Sequence, residues 1–152
     1  MTLDNKTSKQ EDENTVPTEN KTDTDWHLQT LVSTANTTGL EFGVTLLVEG
    51  LIVSGNLIGG NKYFETFADN FSNGFRAEEE TKEELRQAIS SQGEIYNAAE
   101  TDEEIPPPEF IHLEDARFFS PGGNSIPTEN GTLWRGKISS VSGFTLGSLS
   151  VA

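Results

Sequence analysis

"LEFGVTLLVEGLIVSGNLIGG", residues 40–60, decides the fold. Phe42, Val44, Leu46 and Val48 alternate with less apolar neighbours. That is the two-residue period of a strand with one buried face. Glu49-Gly50 then supplies a two-residue turn, and "LIVSGNLI" (residues 51–58) returns as the partner strand. Gly55 inside that second run marks a strong bend or the close approach of another backbone. The other segments follow from how they cover or extend this hairpin.

Upstream, "TDWHLQTLVSTANTTG" (residues 24–39) carries Leu28, Leu31, Val32 and Ala35 on one helical face. Asp25 or Thr24 can cap its start and Gly39 its end. Downstream, "NKYFETFADNFSNGF" (residues 61–75) returns to helical spacing, with Tyr63, Phe64, Phe67 and Phe71 as an aromatic stripe. The simplest use of such a stripe is packing on the sheet, and Gly74 should interrupt this helix. "RAEEETKEELRQAISSQ" (residues 76–92) contains the capping-box pattern Thr81-x-x-Glu84 ahead of Leu85, Ala88 and Ile89. Ten acids stand against three bases between Arg76 and Glu104, and Pro106, Pro107 and Pro108 stop any helix. Residues 74–108 read as an acidic helical and loop insert outside the core.

The chain then reads as strand again. "EFIHLEDARFF" (109–119) is β-rich, "SPGGNSIPTENG" (120–131) is a turn-forming link, and "TLWRGKISSV" (132–141) follows. Ser142-Gly143 reads as a hairpin turn leading into "FTLGSL". Alternation puts Trp134, Gly136 and Ile138 on one face, with Arg135 and Lys137 on the other. Two cations on one strand face suit an edge or solvent side, where charge opposes sheet-to-sheet aggregation.

Length and composition bound what the protein can do. The 152 residues suit one domain, residues 25–152, behind a polar tail of residues 1–24 that cannot bury enough surface to order itself. The formal net charge is −15, which opposes nucleic acid and anionic membrane as partners. There is no cysteine, so disulfides and thiol chemistry are excluded. No run is long and apolar enough to span a bilayer and no apolar signal core opens the chain, so a cytoplasmic protein is expected.

Catalytic patterns are missing. There is no Gly-x-Ser-x-Gly, P-loop or dinucleotide fingerprint, and "SPGGNS" lacks the strand-to-helix context of a phosphate cradle. His27 and His112 have no ligand spacing between them, and the acidic clusters 78–80 and 102–104 lack a calcium-loop pattern. General acid–base work needs a buried, tuned carboxylate, and these cluster in polar segments. No enzyme, metal, cofactor or small-molecule substrate is expected.

The expected fold is α+β and mainly β. The order of one helix, two strands, a helical insert and three further strands resembles a small Sm-like or SH3-like bent barrel, with a leading helix and the acidic insert between its second and third strands. Four stretches, Ile52–Ile58, Tyr63–Phe64, Phe110–Leu113 and Trp134–Gly147, resemble in order the "xVSGxLI", "YF", "FIHL" and "WRGKIxxVxGFxLG" elements of the gas vesicle accessory protein GvpU family. The resemblance spans residues 40–72 and 109–149. It implies a non-catalytic cytoplasmic factor associated with gas vesicles, the air-filled protein shells that give buoyancy, acting in their assembly or clustering. Its partners would be the vesicle shell, other accessory proteins or further copies of itself. Trp134, Arg135, Lys137, Tyr63 and Phe64 are the candidate interaction residues, with Arg135 and Lys137 as a patch that docks an acidic segment. An Sm-like RNA-binding protein is the alternative, motivated by the barrel pattern and Arg135-Gly136.

Overall fold

Glu49 and Gly50 take φ values of 51° and 83°, and the turn they form sets β1 (Phe42–Val48) against β2 (Leu51–Ile58) from Phe42↔Leu57 to Val48↔Leu51. The computed structural model describes residues 23–97 and 105–149. Around the hairpin lie α1 (Trp26–Thr38), α2 (Gly60–Asn73), α3 (Glu79–Ser90), a 3₁₀ segment (Ser91–Tyr96), β3 (Phe110–Phe119), β4 (Ser125–Ile126), β5 (Thr132–Lys137) and β6 (Val141–Leu146). The expectations for the tail largely, and for the acidic loop after Asn97, fall on residues 1–22 and 98–104, outside the described residues.

The six strands form one antiparallel sheet, ordered β4-β3-β2-β1-β6, with β5 also pairing β3. Phe42, Val44, Leu46 and Val48 enter the core together with Val53, Leu57, Ile111, Leu113, Ala116, Ile138 and Val141. From α1, Leu28, Val32 and Ala35 complete it with no exposed surface. Asp25 caps α1, its Oδ1 accepting from the His27 and Leu28 amides at 2.9 and 3.2 Å, and Gly39 ends the helix at φ 73°. Gly55 is where the sheet bulges. A Cβ there would lie 2.9 Å from the Glu114 carbonyl, and the β2–β3 register shifts between Ser54 and Asn56.

Three expectations need correction. The sheet is not closed into a barrel. β5 pairs with β3 and β6 with β1, so the two final strands extend opposite sides of the path rather than pairing with each other. Ser142-Gly143 is no turn, because both lie inside β6, where Gly143 pairs Leu47; Ile138–Ser140 make the crossing instead, in a 3₁₀ turn whose Ile138 is fully buried. Thr81 is not the cap of α3. That helix starts at Glu79 with Glu78 in the cap position, and Glu79 and Glu80 place negative charge in its first turn.

Candidate functional site: an arginine–histidine cluster beside an open cleft

The strand alternation that sends Ile111 and Leu113 into the core turns His112 to the opposite side of β3. There α2 and the 3₁₀ segment cover it. The His112 ring centroid lies 4.6 Å from Tyr63, 5.2 Å from Tyr96 and 6.1 Å from Phe64, and the residue has no exposed surface. Two glycines admit this cover. A Cβ on Gly60 would sit 2.5 Å from the Tyr96 ring, and one on Gly93 would sit 2.9 Å from Phe64 Cβ.

Arg135 stands directly across from His112 in the β3–β5 register. Its Nη1 donates to His112 Nε2 at 2.9 Å and to the Tyr96 hydroxyl at 3.2 Å. Its guanidinium carbon lies 3.9 Å from the Phe110 ring centroid and 5.2 Å from that of Phe64. A guanidinium only donates, so Nε2 accepts, and the ring is neutral with its proton on Nδ1. Burial, and then the positive charge of Arg135, push His112 down to about 3. Burial also raises the Tyr63 hydroxyl, against the opposing pull of Arg135. His112 and Tyr63 are thus held neutral, and neither is poised as a general acid or base near pH 7.

The charge pattern around the cluster is uneven. Lys62 pairs with Glu41 and Glu114, Lys82 with Glu79, Arg86 with Glu83 and Arg117 with Asp115. Among the described residues Arg135 has no carboxylate partner, and its Nε and Nη2 have no hydrogen-bond acceptor. Beside it opens a cleft of about 400 Å³, lined by Asn36 and Thr37 of α1, Tyr96, Pro107, Phe110 and Arg135 among others.

The candidate residues therefore divide. Tyr63, Phe64 and Arg135 meet at His112. Trp134 lies on the core side, packed edge-on to Phe118 at 6.5 Å. Lys137 is exposed at the end of β5. Arg135 is thus not on a solvent face with Lys137; it is half-buried under aromatic rings. The aromatic stripe of α2 divides too, since Tyr63 is buried while Phe67 and Phe71 are 38% and 40% exposed. Two participants were missed. His112 could have been found as the residue opposite Ile111 and Leu113 on an alternating strand. Tyr96 gave no signal inside an acidic segment read as lying outside the core.

Among the described residues no group of three or more histidines and acids could hold a metal, and no helix is long and apolar enough to cross a membrane. Comparison with the curated proteins and with the solved structures returned no match. The sequence model of one protein family, described as "Gas vesicle protein GvpU-like", matches residues 25–149. The chain belongs to the GvpU-like gas vesicle protein family. In this GvpU-like chain two of the stretches that carried the resemblance are bonded to each other: Phe110–Leu113 pairs in register with Trp134–Lys137. The His112–Arg135 contact is built by that pairing.

Proposed function

We propose that the chain is a non-catalytic accessory protein of gas vesicles, supporting their assembly or controlling their clustering in the cytoplasm through protein contacts and self-association. The match of residues 25–149 to the GvpU-like family carries this reading. Two features of the surface support it. Phe67, Phe71 and Phe75 form an exposed aromatic ladder on and just beyond α2, and the net charge of −15 suits weak, multivalent, salt-sensitive contacts. The RNA-binding alternative drew on a closed barrel, which this sheet is not, and the charge opposes it.

The test is flotation with purified buoyant vesicles at low and high salt, beside an unrelated acidic protein. The protein is expected to rise with the vesicles and to be released by salt. A matching assay deletes the protein and scores vesicle yield and clustering; unchanged values for both would end the reading.

A further inference from the structure

Among the described residues one edge of the half-buried Arg135 guanidinium has no partner. Its Nη1 is spent on His112 and Tyr96, and Phe110 lies 3.9 Å from the guanidinium carbon. That fixes the guanidinium plane and leaves the Nε and Nη2 hydrogens, a parallel pair that fits both oxygens of a carboxylate. Most cations of the described core already have acidic partners; this one has aromatic rings and a neutral imidazole instead. Partial burial strengthens a charge-assisted bond relative to one made in open water.

The cleft decides what kind of molecule brings the carboxylate. Pro107, Pro108 and Phe110 give it an apolar wall, and its mouth is flanked by Ile95 and Ile105, which are 79% and 53% exposed. A small carboxylate would leave those side chains in water, whereas a peptide would cover them. Glu109 stands exposed on the rim and disfavours a run of acids. We propose that the cleft between α1, Tyr96 and Pro106–Pro108 docks a peptide segment of a partner protein, in which a single carboxylate flanked by apolar side chains reaches Arg135. This rests on the reading that the protein works through protein contacts, and it adds the chemistry of the partner.

The experiment titrates the full chain into a fluorescein-labelled peptide of one glutamate flanked by leucines and serines, and into its glutamine counterpart, reading anisotropy. The glutamate peptide is expected to saturate, and the glutamine peptide to bind at least tenfold more weakly. Arg135→Lys keeps the charge but loses the flat fork, and should weaken glutamate binding about tenfold. Thr37→Trp fills the cleft from an exposed position on α1 without touching the His112 cluster, and should weaken it at least as much. Equal affinity for the two peptides, or full binding by Thr37→Trp, overturns the proposal. So does a tenfold gain on neutralising Glu100, Asp102, Glu103 and Glu104 together, because the occupant would then be the chain itself. No vesicle enters this assay, so its failure is separate from a failure to float.

Discussion

Arg135 Nη1 donates to His112 Nε2 at 2.9 Å, and burial, with this positive neighbour behind it, keeps the histidine in its neutral form. The unfolded chain has no such constraint, so its histidine protonates around the ordinary value of 6.5, while the folded ring holds out to about 3. As pH falls through 6.5 the unfolded state takes up a proton that the folded state refuses. Stability is therefore full above that value and is lost progressively down to about pH 3. By pH 5 the expected loss is about 2 kcal/mol. Urea titrations at pH 7.5 and pH 5 check it, and His112→Phe should flatten the difference between them. A wild-type protein equally stable at both values would show that the ring is protonated in the fold.

Gly60 and Tyr96 make the second testable contact. Gly60→Ala would place a methyl 2.5 Å from the Tyr96 ring, so the ring, or α2 or the 3₁₀ segment that carries it, must shift. The expected cost is about 1–3 kcal/mol, with faster amide exchange across residues 91–97. In a Tyr96→Ala background the same change should cost much less, because the ring it strikes is gone. Additive costs would place the strain elsewhere.

Asp25 gives a local check on α1. Its Oδ1 accepts from two first-turn amides, and α1 supplies three fully buried side chains to the core. Asp25→Ala should cost about 1 kcal/mol, seen as a lowered Tm, and Asp25→Ser should recover most of it.

How far the sequence could be read follows from the range of the physics involved. Strand alternation and helix caps are local, so the β1–β2 hairpin, Gly39 and Gly74 could be identified from neighbours alone, and the cap of α1 narrowed to Asp25 or Thr24, of which the structure uses Asp25. Gly55 likewise marked a bend or a close backbone approach; the Glu114 carbonyl makes that approach, and the accompanying register shift is what the structure adds. The closing strands were not, because Ser142-Gly143 has good turn chemistry but lies in a strand that pairs with β1, far away in sequence. Burial of Ile138 and pairing with two separate partners outweighed a local preference. The site was half legible for the same reason. Tyr63 and Phe64 stood out as aromatic, and Arg135 as a cation in a patterned strand. Their meeting point required knowing that β5 returns to β3 and that Tyr96 folds back over Gly60.

The aromatic ladder of α2 tests the proposed role without touching the His112 cluster. Phe67 and Phe71 stack at 5.8 Å and Phe71 meets Phe75 edge-on at 4.8 Å, with exposures of 38%, 40% and 46%. Rings this exposed contribute little to the core, so Phe71→Ser with Phe75→Ser should lower stability by only about 1 kcal/mol. An apolar ridge beside Asp69 and Glu65 is instead suited to contact with another protein. The double variant should show less concentration-dependent association in sedimentation velocity and weaker vesicle clustering, at unchanged far-UV circular dichroism. Retained association and clustering would move the contact surface off α2 and leave the Arg135 cleft as the remaining candidate on this side of the sheet.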